Sequence, residues 1–145
     1  MALQVTVEGF GDSAFTPARF TCDGQNVNPA VRWTGAPTGV MSFALIVDDP
    51  DAPGGTWNHW LLWDIPSDAH AIAEGKARGA GTAGTNDFGD IGYGGPCPPK
   101  GGGPHRYHFR LYSLNAHTLG LAAGSKRSAL DRALKEHIKI GRAHV

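Results

Sequence analysis

Cysteine is scarce in this chain of 145 residues. There are two, Cys22 and Cys97, and they lack Cys-x-x-Cys spacing, which excludes a zinc knuckle and a dithiol redox motif. Neither sign of charge is in excess: Lys and Arg total 13, Asp and Glu 13, and the formal net charge is zero. A nucleic-acid binder needs a basic stripe or patch, and this balance argues against one. It also supplies no attraction to an anionic bilayer surface. Long apolar runs are missing too, since the longest, Phe43 to Val47, is far too short to cross a membrane. The opening MALQVTVEGF lacks the basic start and apolar stretch of a secretory signal, so the cytoplasm is the expected compartment. No serine sits in a Gly-x-Ser-x-Gly elbow, so a hydrolase of that kind lacks its nucleophile. Neither enzymatic activity nor a cofactor is expected.

What is present reads as strands separated by Gly/Pro punctuation. Leu3, Val5 and Val7 alternate with polar residues, as a half-buried strand requires, and Val31 and Trp33 repeat the pattern. Met41 to Val47 is apolar on both faces and belongs in the middle of a sheet. Trp60 to Ile65 is similar and stops at Pro66, while Tyr107 to Leu114 alternates. This spacing predicts a mostly β sandwich or barrel. One helix is expected near the C-terminus, where Leu130, Leu134 and Ile138 recur every four residues behind Ser125 as N-cap. No repeat or linker divides the chain, which reads as one domain.

The stretch from Gly75 to Pro104 carries 11 of the 21 glycines. A loop this long inside a compact domain is usually functional or disordered, and its last third, GYGGPCPPKGGGPHRY, runs straight into a strand. Function is the better reading. Cys22 and Cys97 both stand in loop-like sequence and read as two independent thiols, with a single bridge between the loops as the alternative.

Candidate chemistry gathers at strand ends. The connection from Asp48 to His59, DDPDAPGGTWNH, is a hairpin whose aspartates can be plain turn chemistry. His59, however, comes back to the same sheet edge. By strict alternation it shares a face with Leu61, Trp63 and Ile65. In the later strand the odd residues His105, Tyr107, Phe109 and Leu111 form the apolar face, so His105 and Tyr107 head an inward row and His108 points away. Glycines before them let backbone amides approach a ligand.

The motifs DPDAP (Asp49 to Pro53), WNHW (Trp57 to Trp60) and GGPCPPKGGGPHRY (Gly94 to Tyr107), with FTCDGQNVNPAVRW near the start, resemble the phosphatidylethanolamine-binding protein family, in its bacterial Raf kinase inhibitor-like branch. The likeness spans nearly the whole chain. It implies a β-sandwich with a Greek-key antiparallel sheet, a C-terminal helix and an anion pocket. Carried over residue by residue, that pocket uses Asp49 with Asp51 beside it, His59, His105 and Tyr107, with Gly95 and Pro98 in its wall. Asn58 departs from the better-known eukaryotic members, which carry a second histidine there. The implied ligand is a phosphate or phosphoethanolamine-like headgroup, anionic or zwitterionic. A role as regulator or inhibitor of a kinase or protease follows from the family alone, and a second copy of the chain is admitted as partner. The rival reading is a hydrolase or metal-binding enzyme that uses Asp49, Asp51, His59 and His105.

The tail IGRAHV matches the family poorly, and the codons ATC GGA AGA GCA CAC GTC would encode it, a string like a sequencing adapter. The domain is therefore expected to span 1–139, with 140–145 a non-native or truncated tail that packs poorly and leaves the last strand missing.

Overall fold

In chain order the structure, a computed structural model, forms β1 (Gln4–Val7), β2 (Val31–Thr34), β3 (Ser42–Asp49), β4 (Trp57–Pro66), β5 (Ala71–Ile72), β6 (Thr82–Ala83), β7 (His108–Leu114), α1 (Arg127–Glu136) and β8 (Lys139–His144). The described residues are 3–8, 18–22, 24–50, 52, 54–97, 107–137 and 139–144, the last run for its backbone only. Among them the strands make two antiparallel sheets, β1-β2-β5 and β6-β4-β3-β7-β8. β3 is buried along its whole length, as a run apolar on both faces should be, because both faces of its sheet are covered. On one face Phe43, Leu45, Val47, Trp60, Leu62, Phe109 and Leu111 meet Val5, Val31, Trp33 and Ile72 of the smaller sheet. On the other, Ala44, Ile46, Leu61, Trp63 and Leu114 pack against Leu130, Ala133 and Leu134 of α1.

The strict alternation expected for β4 fails, for a local reason. β4 has ten residues against eight in β3, and the register slips between Phe43 and Leu45 and again between Val47 and Asp48. Each slip leaves one extra residue on β4, and each is a bulge that resets which side the next residue faces. Asp64, in the first bulge, has φ 54°. Leu61 and Trp63 therefore face the helix, while Trp60, Leu62 and Ile65 face the sandwich. His59 is the extra residue of the second bulge.

Two further expectations are corrected. Ser125 does not cap α1: its hydroxyl donates to the Ala122 carbonyl at 2.7 Å, and Lys126 takes the cap position without a side-chain bond. Leu130 and Leu134 are buried as expected, joined by Ala133, whereas Ile138 lies outside the described residues. The C-terminal residues form the last strand rather than a loose tail. β8 pairs with β7 from Lys139 opposite Leu114 to His144 opposite Arg110, because the backbone of an edge strand pairs through its own amides and carbonyls.

The two thiols are not independent. Cys22 and Cys97 are bonded, with Cα atoms 5.3 Å apart across a sequence separation of 75. Around the bridge, Cys22 N–H donates to the Pro96 carbonyl at 3.2 Å and the Tyr93 hydroxyl to the Phe20 carbonyl at 2.7 Å. The loop before β2 is thereby fastened to the glycine-rich loop before β7.

Candidate functional site

Three strand ends meet at one edge of the five-stranded sheet. Asp49 closes β3 opposite Trp57, so the hairpin delivers His59 to the same edge. On the other side of β3, His108 stands opposite Asp48, which brings Tyr107, the residue before it, beside Asp49. Asp49 and His59 are both buried, and the His59 and Tyr107 rings meet edge to face with centroids 5.2 Å apart. The expected convergence of Asp49, His59 and Tyr107 is therefore present. His108 lies on the opposite face from Phe109, as alternation along β7 requires. Asp51, Pro98 and His105 lie outside the described residues.

The chemistry of His59 is fixed by the glycine-rich loop. Its Nδ1 is 2.8 Å from the Gly94 carbonyl, which can only accept, so Nδ1 carries the proton and donates. Nε2 of the neutral ring is then an acceptor. Burial pushes the His59 pKa below 6.5, against the opposing pull of the Gly94 bond and of the charges on Asp49, Asp48 and Asp87. Tyr107 is pushed up to about 12 by burial and then by the Asp49 charge, so it keeps its hydroxyl proton. The described part of the site thus holds an aspartate, a neutral imidazole with a lone pair at Nε2, and a phenol.

Gly95 supports the site from behind. Its amide donates to Asn26 Oδ1 at 2.8 Å and is not free for a ligand. A β-carbon there would fall 1.8 Å from the Phe20 carbonyl oxygen, so only glycine allows the two loops to close this tightly.

Alternation alone did not reveal the partner network on the helix face. Asp48, read from sequence as a turn residue, is buried, and its Oδ2 accepts from Arg110 at 2.6 Å and Arg127 at 3.0 Å. Arg127 also donates to Asn58 Oδ1 at 2.7 Å and to Asp131 at 2.8 Å. Asn58, at the position of the departure from the eukaryotic pattern, receives Asp87: its backbone and side-chain N–H groups donate to Asp87 Oδ2 at 2.6 and 3.0 Å. The sequence signal was available in Arg110, an even-numbered charge on an otherwise half-apolar strand, two residues along from His108, which stands opposite Asp48. Phe88 was a second omission. It is 39% exposed, and its ring lies 5.3 Å from Trp57 and 5.6 Å from His59.

The family model for phosphatidylethanolamine-binding protein matches residues 7–144. The chain belongs to this family. Among the relatives of phosphatidylethanolamine-binding proteins that it resembles are the UPF0098 protein PH1269 of Pyrococcus horikoshii, 43% identical over 145 residues, covering 95% of this chain and 72% of that protein. The UPF0098 protein of Aquifex aeolicus is 40% identical over 147 residues, covering 99% of this chain and 85% of its own length. The crystal structure of Escherichia coli YbcL, described as a new member of the mammalian PEBP family, superposes with a TM-score of 0.90 at 32% identity, covering 100% of this chain and 96% of that one. Membership supports a ligand-binding role for the fold. Among the described residues no group of three or more His, Cys, Asp or Glu is arranged to hold a metal ion. No described helix is long and apolar enough to cross a membrane.

Proposed function

We propose that this protein binds a small phosphomonoester, anionic or zwitterionic, at the site formed by Asp49, His59 and Tyr107. The observation that carries this reading is the His59 ring, buried, held at Nδ1 by the Gly94 carbonyl and edge-on to Tyr107. A neutral imidazole so held offers an acceptor at Nε2, and Tyr107 offers a donor. Such a pair suits an oxyanion that brings its own proton, as a phosphate monoester does. A proton-free oxyanion such as sulfate must wait for His59 to take up a proton at Nε2 and become a donor. Asp49 disfavours a bare anion and suits a ligand with a neighbouring cationic group.

Titration calorimetry tests this. Inorganic phosphate should bind the wild type near neutral pH more tightly than sulfate, and sulfate should strengthen as pH falls below 6.5. His59→Ala should weaken both, and His108→Ala, on the opposite face, neither. Equal, pH-independent affinities for the two anions would overturn the reading. The bridge between Cys22 and Cys97 also moves the expected compartment from the cytoplasm toward an oxidising one, where structural disulfides persist. Thiol-trapping of the protein in its host checks that: a reduced pair would restore the cytoplasm.

A further inference from the structure

A cavity of about 530 Å³ lies along the β6 edge of the large sheet, between β4, the glycine-rich loop and the loop before β2. Small-molecule sites usually enclose about 300–1,000 Å³. None of Asp49, His59 and Tyr107 is among its described lining residues, so this is a separate place on the molecule. Trp60 and Tyr93 give it an aromatic corner, their rings edge to face with centroids 5.5 Å apart. At Gly79 and Gly92 the wall is bare backbone, and a β-carbon at either would meet nothing within 4 Å. Ile91, also in the lining, is 63% exposed, and a ligand seated there would cover it.

The polar lining is short of donors' partners. Asn28 uses both amide hydrogens on the Pro29 and Ala73 carbonyls, each at 3.0 Å, and its oxygen on Ala77 N–H at 3.3 Å. Asn26 Oδ1 accepts from Gly95 N–H, and the Tyr93 hydroxyl donates to the Phe20 carbonyl. Three N–H-bearing groups of the lining then have no partner among the described residues: the Asn26 side-chain amide, the exposed Arg78 guanidinium and the buried Trp60 indole. Trp33, Trp57 and Trp63 also carry unpartnered indole N–H groups, but none of them lines this cavity. A buried donor without a partner is costly, and an acceptor placed in the cavity removes that cost. No aspartate or glutamate is among the described lining residues, so Arg78 sets the charge. A guanidinium fork matches the two oxygens of a carboxylate, and the aromatic corner suits a flat ring. A doubly charged, strongly hydrated anion would lose its water against this wall and leave the rings unused.

We propose that this cavity is a second binding site, for a small aromatic carboxylate. The ring lies against Trp60 and Tyr93, an acceptor on the ring takes the Trp60 indole N–H, and the carboxylate meets Arg78 at the mouth. This goes beyond the phosphomonoester reading and does not depend on it.

The test uses 6-hydroxy-2-naphthoate and its neutral counterpart, 6-hydroxy-2-naphthalenemethanol, as paired probes on the whole protein. In calorimetry the acid should bind one to one and more tightly than the alcohol, and inorganic phosphate should not compete with it. Arg78→Gln, at an exposed position that leaves the fold intact, should lower the affinity for the acid about two- to fivefold, the worth of an exposed ion pair. The same variant should leave the affinity for the alcohol as it was. In proton–nitrogen correlation spectra the assigned Trp60 indole N–H resonance should move when the acid is added and stay in place when phosphate is added. Failure of the acid to bind at millimolar concentration overturns the proposal, as does its displacement by phosphate. An affinity for the acid that ignores Arg78→Gln, an equal loss for both probes, or a Trp60 indole resonance that does not move with the acid overturns it as well.

Discussion

Reducing the bridge between Cys22 and Cys97 should cost the fold a large share of its stability. Both cysteines are exposed, so a small thiol reductant reaches them in the native state. The bond closes a loop of sequence separation 75. Chain-entropy bookkeeping for a loop of that length gives about 15 cal/mol/K, or about 4.5 kcal/mol at room temperature, as an upper range. A chain of this size has an unfolding entropy of roughly 300 cal/mol/K, so the midpoint should fall by about 15 °C. Melting curves of the oxidised, the reduced and the Cys22→Ser/Cys97→Ser protein measure it. The last two should coincide, and thiol titration of the denatured, unreduced protein should find no free thiol. A reduced protein melting within about 3 °C of the oxidised one would refute the reasoning, since that is under about 1 kcal/mol. The loss should also reach the site. With the covalent tie gone, the contact from Gly95 N–H to Asn26 is left with only hydrogen bonds around it, and that contact holds the residue next to Gly94. Phosphate affinity should fall with reduction well below the melting range.

His59 gives a pH signature. Its folded pKa lies below 6.5, so between that value and 6.5 the unfolded chain binds a proton that the folded one does not. Stability should therefore fall as pH drops through that window, and urea midpoints should show His59→Gln flattening the slope; a slope unchanged in the variant sinks the assignment. Asp48→Ala leaves the Arg110 and Arg127 guanidiniums facing each other without their shared carboxylate. It should cost about 3–5 kcal/mol in urea unfolding, with less than 1 kcal/mol contradicting a structural role for the network. Gly95→Ala should destabilise by about 1–3 kcal/mol, since its β-carbon must push the Phe20 carbonyl aside, and a neutral result would mean the two loops are not closed as described.

Most of the fold was legible because it rests on burial, and burial leaves a periodic trace. β1, β2, β3 and β7 follow their apolar patterns residue by residue. β4 did not, since a bulge is a backbone event that alternation cannot register: His59, Leu61, Trp63 and Ile65 look like one face and are two. β6 was also hidden, because a two-residue strand in a glycine-rich loop carries too little apolar pattern to be seen. β8 was missed for another reason. Its residues read as a poor match to the family, yet the family model runs to residue 144, and the strand pairs with β7 through its backbone.

The site was legible where chemistry and topology coincide, and hidden where it depends on loop-to-loop closure. Asp49, His59 and Tyr107 could be placed at one edge because a hairpin and a neighbouring strand leave little choice. The disulfide, the Asn26–Gly95 bond and the Asn58–Asp87 clamp join segments 29 to 75 residues apart, and no local pattern announces such pairs. Yet these ties determine the chemistry. Because the glycine-rich loop is pulled onto β4, the Gly94 carbonyl accepts the hydrogen bond of His59 Nδ1–H, and burial favours the neutral ring, which leaves Nε2 as an acceptor. In the proposed reading the residue types suit an anion, and the closure of the loops makes the site one that asks the anion to bring a proton.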